Sequence, residues 1–251
     1  MEIESPLLFN SPLLSFALMF SAIYCFGYFV LFKNWGSSRY EASSCLISSF
    51  HGTPAVILAI FSLIKSQNNL FPLDFPAQNT SFHNLVLEFS MGYFIIDLLH
   101  YIIFFPKDFL FMAHHLATLY VLATARYIVH HGAVSILGLL VLAEITSPFQ
   151  NTWTLAGFRK VDLPEAARFY EFLSPYFFIF YSVVRGILGP LYVIKMGAAF
   201  ASGEADGLIP RWAWISWMVV IVAAIWVSIL WVLNLWIGFC KTRANLLKKV
   251  S

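Results

Sequence analysis

Long apolar runs alternate with short polar connections along most of the 251-residue chain. The runs cover residues 8–32, 45–64, 85–105, 110–129, 133–154, 172–200 and 212–240. Each has roughly 20 residues or more, which is the length that an α-helix needs to cross a hydrocarbon core of about 30 Å. The pattern therefore predicts an all-α integral membrane protein with about seven transmembrane helices.

The composition excludes an ordinary soluble domain. Charged residues make up only 11% of the chain, whereas soluble domains carry about 25%. The net charge of +2 is too small to indicate a nucleic-acid partner. Cys25, Cys45 and Cys240 show neither a disulfide pattern nor a metal-ligand spacing. We expect membrane lipids as partners, with no nucleic acid, no metal and no bound cofactor, and the sequence leaves the oligomeric state open.

Ionisable side chains interrupt the third and fourth apolar runs. Asp97 and His100 lie near the end of the third run, and His114 and His115 lie near the start of the fourth. Only residues 106–109 separate the two runs, so we expect a tight hairpin with all four side chains roughly 6 to 12 Å inside one membrane boundary. Because an ionisable group at membrane depth is costly and normally faces a cavity or a partner, the hairpin is the first candidate for a functional site.

Further polar residues recur at helical spacing beside these four. They are Tyr93 on the face of Asp97, Thr118 on the face of His114, Glu144 with Ser147 and Asn151 in the fifth run, and Arg185 in the sixth. We expect Asp97 to stay buried and to bond one of the hairpin histidines or Arg185, and Arg185 to pair with Asp97 or Glu144. His51, in the second run, suits a packing role as well as a site role.

The basic residues predict the orientation, because Lys and Arg accumulate in cytoplasmic loops. With the N-terminus in the lumen, ten basic residues fall on the cytosolic side, four on the other side and Arg185 within the membrane. The loop then placed in the lumen contains the sequon Asn79-Thr80-Ser81. The C-terminal Lys248 and Lys249 resemble a dilysine retrieval signal, although the charge rule alone also explains them. We therefore expect an endoplasmic reticulum protein with a cytosolic C-terminus.

Three segments resemble the TLC family, the membrane domain shared by ceramide synthases and translocating-chain-associating proteins. Residues 111–127 resemble the His-His signature, and residues 92–97 and 142–149 resemble its flanking segments. The likeness covers residues 43–241, with residues 1–42 as an N-terminal helix and loop and residues 242–251 as a basic tail. It is greatest to the TLC domain-containing protein 4 branch. The resemblance implies a six-helix barrel that holds lipid, formed by helices two to seven with helix one outside.

One position departs from the enzymes of this family. Ceramide synthases carry an Asp-x-x-Asp pair in the helix after the His-His signature, and the matching residues here are Glu144 and Ser147. The resemblance thus implies lipid chemistry, while the loss of one carboxylate argues against ceramide synthase activity.

Three functions stay open, all in lipid metabolism or lipid homeostasis. An acyltransferase would use His114 or His115 as base or nucleophile, oriented by Asp97 or Glu144, with acyl-CoA as substrate. A lipid-binding or lipid-sensing protein would use the same barrel without turnover. A lipid transporter is the third, although the chain shows no matching pair of interrupted helices. The residues expected to contact lipid or acyl-CoA are Tyr93, His100, Thr118, Ser147, Asn151 and Arg185.

Overall fold

The computed structural model describes residues 12–66 and 73–250, with side chains described as far as residue 241. The helices are α1 (Leu13–Phe26), α2 (Arg39–Ser66), α3 (Ser81–Phe104), α4 (Phe109–Ala123), α5 (Ala133–Glu144), α6 (Ser147–Arg159), α7 (Pro164–Val183), α8 (Gly189–Ala201) and α9 (Arg211–Val250). π-helical turns extend α1 as Gly27–Leu31, α4 as Thr124–Val129 and α7 as Val184–Leu188. Within the described ranges the backbone forms no strand, so the predicted all-α class is confirmed.

The helices join into seven membrane-length segments across the described ranges. Six are long and apolar enough to cross a membrane: Leu13–Leu31, Gly36–Ser66, Ser81–Phe104, Ala133–Arg159, Pro164–Ala201 and Arg211–Lys241. The seventh is α4 with its π-helical turn, whose hydropathy is lowered by His114, His115 and Arg126. We count it as a crossing because it returns antiparallel to α3 after a connection of four residues, 105–108.

Several predicted boundaries were wrong, and local chemistry explains one of them. The second helix begins at Arg39, and the sixth at Pro164. Proline suits the first turn of a helix because it has no N–H to leave unpaired, and Glu165 there favours the positive end of the helix dipole. The predicted start of the first helix, at residues 8–11, lies outside the described residues.

The last helix continues beyond the predicted domain boundary at residue 241. α9 runs to Val250, so the predicted basic tail is helical as far as that residue. The side chains of Lys248 and Lys249 lie outside those described, and the retrieval signal stays a prediction.

Six segments close into a ring around a shared interior. In order around the ring, α2 packs on α3, α3 packs on α4, and α4 packs on α9. The last helix, α9, packs on the segment formed by α7 and α8, and that segment packs on the one formed by α5 and α6. The segment of α5 and α6 packs on α2 and closes the ring. The contact between α4 and α9 is the least extensive in the ring. α1 packs outside it, mainly against α3. The predicted barrel with helix one outside is thereby confirmed.

The second and fourth connections meet at one end of the barrel. The side-chain Nδ2 of Asn79 donates to the Ala125 carbonyl at 2.8 Å, and its Oδ1 accepts from the Ala133 N–H at 2.9 Å. Its backbone N–H donates to the His130 carbonyl at 2.9 Å. Asn79 therefore links the two connections and the start of α5, which gives it a structural role at the predicted glycosylation position. Glycosylation of Asn79 stays a prediction.

Candidate functional site

A cavity of about 310 Å³ lies inside the barrel and is lined by all six segments of the ring. Its volume is at the lower end of the range for small-ligand sites, about 300 to 1,000 Å³. Polar residues line much of it, including Asp97, His114 and Glu144, and apolar residues such as Phe158, Val227 and Trp231 complete the wall. A site of this kind suits a ligand with one polar end and one apolar end.

Asp97 lies at the centre of the α3 side of the cavity and is 3% exposed. Its Oδ1 accepts a hydrogen bond from Ser44 at 2.6 Å. Its Oδ2 lies 2.9 Å from His115 Nε2 and accepts a longer bond, 3.2 Å, from the Tyr93 hydroxyl. The predicted burial of Asp97 and its contact with a hairpin histidine are confirmed.

His115 has a partner at each ring nitrogen. Its Nδ1 lies 2.7 Å from the Phe111 carbonyl oxygen, which only accepts, so Nδ1 carries a proton. Its Nε2 faces Asp97, and with that carboxylate ionised Nε2 carries a proton as well. His115 is then an imidazolium in a buried ion pair with Asp97. Because neither nitrogen is available, His115 holds the site together and does not offer a base to the cavity.

His114 lies on the adjoining face of α4 and differs in this respect. It lines the cavity and is accessible from it, and its ring forms no hydrogen bond with any side chain or backbone group of the described residues. Its ring packs edge-on against Phe94 and His115, with centroids 6.4 and 5.7 Å apart. The His-His pair therefore divides its roles, with His115 fixed by Asp97 and His114 free to contact a ligand.

The fifth segment breaks at the cavity wall. α5 ends at Glu144 and α6 begins at Ser147, followed by Pro148, whose ring nitrogen cannot continue the hydrogen-bond ladder. At the break, the Ser147 hydroxyl donates to Glu144 Oε2 at 2.7 Å. Glu144 and Ser147 therefore contact each other directly, as a carboxylate and a hydroxyl.

Arg185 contacts the same break from the π-helical turn after α7. Its guanidinium donates to the Ala143 carbonyl and, at 3.5 Å, to the Thr146 hydroxyl. The prediction that it pairs with Asp97 or Glu144 was wrong, since no carboxylate of the described residues lies within 4 Å of it. The helix break accounts for this, because it exposes a carbonyl that the guanidinium satisfies.

His51 connects the two carboxylate sites from within the protein. It is fully buried, its ring stacks on Tyr93 with centroids 4.1 Å apart, and its Nε2 lies 3.1 Å from Ser90 Oγ. Its Nδ1 has no hydrogen-bond partner and lies 3.8 Å from Glu144 Oε2. Gly52 lets α2 lie close to the break between α5 and α6, because a Cβ at this position would lie 3.0 Å from Ser147 Cβ. His51 therefore supports the cavity wall from the buried side, between Tyr93 and Glu144.

Two predicted contact residues lie away from the cavity, whereas Tyr93, Ser147, Asn151 and Arg185 line it. His100 does not line the cavity, because α1 packs on that edge of α3, where His100 Nδ1 lies 2.8 Å from the Tyr24 hydroxyl; its contact with lipid stays a prediction. Thr118 does not line the cavity either, and its hydroxyl donates to the His114 carbonyl of its own helix at 2.9 Å, a common helical contact of threonine; its contact with lipid also stays a prediction.

Sequence reasoning missed the polar face of α2. Glu41, Ser44 and Ser48 line the cavity, and Asn151 Nδ2 donates to Ser48 at 2.9 Å. The predicted second helix began at Cys45, which excluded Glu41 and Ser44. Their spacing of three and four residues, continued by His51, is the helical signal that indicates this face.

No group of three or more His, Cys, Asp or Glu side chains suited to a metal occurs in the described part of the chain. The cavity groups instead form pairs, Asp97 with His115 and Glu144 with Ser147.

Comparison with known proteins decides the family. The TLC domain matches residues 41–237 of the chain. The chain belongs to the TLC-domain family. A TLC domain-containing protein of Arabidopsis thaliana is 53% identical over 238 residues, which cover 93% of this chain and 92% of the relative. No solved structure matches the chain. The His-His pair, Asp97 and Glu144 all lie within the matched TLC domain, and the resemblance predicted from the sequence is confirmed.

Proposed function

We propose that this TLC-domain protein binds a membrane lipid inside its barrel and acts in lipid metabolism or lipid homeostasis. The observation that carries the proposal is the cavity, which is bounded by all six segments of the ring. Its polar groups would receive a headgroup or a reacting carbonyl, and its apolar wall would receive an acyl chain. A purely structural bundle would fill this interior with packed side chains.

A second candidate function, acyl transfer from acyl-CoA to a lipid acceptor, is favoured by the contrast between the two histidines. His114 has a ring nitrogen available to take a proton, while His115 and Asp97 fix its position on α4. Imidazole is the side chain whose unperturbed pKa suits proton transfer near neutral pH. Ser147, at the position of a carboxylate in ceramide synthases, makes the acceptor chemistry of that enzyme the weaker expectation.

In the proposed transfer, each bond that forms is matched by a bond that breaks. The acceptor hydroxyl or amine loses its proton to His114 and forms an ester or amide bond with the acyl carbon. The carbon–sulfur bond of the thioester breaks, and the leaving thiolate of coenzyme A takes the proton from His114. Lys107 and Arg159, near the end of the barrel where the α3–α4 connection lies, carry charges that suit the phosphates of acyl-CoA.

Two measurements on purified protein separate binding from transfer. Mass spectrometry of co-purified lipids should find a lipid retained by the wild type. Incubation with labelled acyl-CoA and a panel of acceptor lipids should give a new acylated lipid that His114→Ala abolishes. His130→Asn is the matched control, because His130 is exposed at the opposite end and its left-handed backbone suits asparagine.

The outcomes distinguish the candidate functions. Retained lipid without any acylated product would support the lipid-binding function and contradict the acyl-transfer function. A product that forms equally with His114→Ala would remove His114 from the chemistry. If the wild type retains no lipid above the level of an unrelated membrane protein, the proposed lipid-binding function fails.

We also propose that the protein resides in the endoplasmic reticulum, with its N-terminus in the lumen and its C-terminus in the cytosol. The distribution of basic residues and the terminal Lys248 and Lys249 support this orientation. A C-terminal tag should be digested by protease added to sealed microsomes. Protection of the tag would contradict the proposed topology, and replacing both lysines by serine tests the retrieval signal by a shift in location.

A further inference from the structure

Arg185 is a cation at membrane depth whose protein partners are neutral. Its guanidinium bonds the Ala143 carbonyl and the Thr146 hydroxyl, and its Cζ lies 5.6 Å from the centre of the Tyr181 ring. Among the residues described, no carboxylate lies within 4 Å of it. A charge at membrane depth without a counterion is costly, and such a residue normally marks a ligand or ion path.

The central carboxylates of the cavity form their hydrogen bonds with residues other than Arg185. Asp97 accepts from Ser44 and Tyr93 and pairs with His115. Glu144 accepts from Ser147. It lies 3.8 Å from His51 Nδ1. Glu41, which also lines the cavity, is not within ion-pair distance of Arg185. A counterion for Arg185 must therefore come with the ligand.

The chemistry of the guanidinium limits what that ligand carries. Arginine presents five N–H donors in a planar fork, which matches the paired oxygens of a phosphate or a carboxylate. The Ala143 and Thr146 contacts use donors on Nη2 and Nε and leave Nη1 without a hydrogen bond to the described residues. His114, which lines the same cavity, supplies a further donor for an anionic oxygen.

We propose that Arg185 is the anchor for an anionic lipid, whose phosphate or carboxylate binds the guanidinium and the His114 ring. This rests on the proposed lipid-binding function and names the headgroup class of the lipid. The acyl chain then lies along the apolar part of the wall formed by Phe158, Val227 and Trp231. An uncharged lipid of the same chain length leaves the guanidinium without a counterion and binds more weakly.

Paired probes of equal chain length test this in the wild-type protein. Purified protein in a glycosidic detergent is loaded with a fluorescent fatty acid and titrated with dodecyl phosphate or with dodecanol. Dodecyl phosphate should displace the probe at about a tenfold lower concentration, as expected when a hydrogen-bonded charge pair is gained. Equal displacement by the two overturns the proposal, whatever the behaviour of any variant.

A charge-removing variant then assigns the effect to Arg185. Arg185→Gln keeps an N–H donor of the kind that serves the Ala143 carbonyl but removes the positive charge. Lys195→Gln, on exposed α8 residue Lys195, removes a charge outside the cavity and is the matched control. After incubation with mixed vesicles of oleate, phosphatidylglycerol and diolein, bound lipids are counted by mass spectrometry.

The expected result is a loss of about tenfold in anionic lipid for Arg185→Gln, with diolein unchanged and Lys195→Gln like the wild type. Retention of oleate alone identifies a carboxylate ligand, and retention of phosphatidylglycerol alone identifies a phosphate ligand; both support the proposal. Anionic lipid retained by Arg185→Gln at the wild-type level overturns it while leaving lipid binding intact. If the wild type binds none of the three lipids, the proposed function itself fails.

Discussion

The two carboxylate sites of the cavity are built in opposite ways. Asp97 has hydrogen-bond partners on both oxygens, supplied by α2, α3 and α4, and its histidine partner is fixed by a backbone carbonyl. Glu144 lies at a helix break, where His51 Nδ1 has no hydrogen-bond partner and Arg185 has no carboxylate beside it within the described residues. We call the Asp97 site saturated, because both carboxylate oxygens have hydrogen-bond partners. We call the Glu144 site unsaturated, because donors beside it are unused.

This difference indicates a division of labour within one cavity. Groups whose hydrogen bonds are complete hold a fixed geometry, because any rearrangement would leave a buried polar atom unpaired. Groups with unused donors gain the most when a ligand arrives. The Asp97 site therefore maintains the barrel and orients α4, while the Glu144 break with Arg185 and His114 is the part that contacts the ligand.

Removing the Asp97 carboxylate tests the saturated site most severely. Asp97→Ala leaves the His115 imidazolium buried without its counterion, and we expect a loss in stability on the order of 3 to 5 kcal/mol. The measurement is the yield and the thermal unfolding of the purified protein. Asp162→Ala, which removes an exposed carboxylate from the α6–α7 connection, is the control and should behave like the wild type. Unfolding of Asp97→Ala at the wild-type temperature would show that Asp97 is not a structural ion-pair partner.

The saturated site was also the more predictable one from the sequence. Asp97 and His115 lie on helices joined by a four-residue connection, so helix periodicity and a short hairpin were enough to bring them together. The partners of Arg185 are 39 and 42 residues away along the chain, on a helix that breaks. Periodicity gives the face of a straight helix, but it does not say where a helix interrupted before Pro148 exposes a carbonyl.

Two further residues show why the rest could not be predicted. His100 was placed on the correct helix, but its partner Tyr24 belongs to α1, and the edge of α3 that α1 covers is a matter of packing. His83 lies in the first turn of α3 and is buried. Its Nδ1 accepts from the Thr80 N–H at 3.1 Å and caps α3. A histidine in the place usually taken by Glu or Gln is not a recognisable capping signal.

A smaller change tests the helix break by crowding it. Gly52→Ala would place a Cβ 3.0 Å from Ser147 Cβ and 3.1 Å from Glu144 Oε2, both within the packed wall. We expect a loss of about 1 to 3 kcal/mol from overpacking, measured by thermal unfolding. Gly186→Ala is the matched control, since nothing lies within 4 Å of its added Cβ. Equal unfolding temperatures for the two variants would mean that the side chains at the break move aside for the added methyl group without loss of stability.

The smallest expected effects compare the serine donors of the two carboxylates. Ser44→Ala leaves Asp97 Oδ1 without its hydrogen-bond donor in a buried site, and we expect a loss of about 1 to 3 kcal/mol. Ser147→Ala removes one donor from Glu144, and we expect only about 0.5 to 1.5 kcal/mol. The difference arises because His51 Nδ1, 3.8 Å from Glu144 Oε2, can move closer and take the place of the serine.

A double substitution shows whether His51 makes that compensation. His51→Phe keeps a ring stacked on Tyr93 but has no Nδ1 to donate. In this background Ser147→Ala should cost about 1 kcal/mol more than it does alone, because Glu144 then loses both donors, and the unfolding free energies of the four proteins give this coupling directly. His51→Phe should leave the cost of Ser44→Ala unchanged, since Asp97 keeps His115 and Tyr93. Additive costs for Ser147→Ala and His51→Phe would mean that Glu144 has no reserve donor, and the contrast between the saturated and the unsaturated site would then rest on Arg185 and His114 alone.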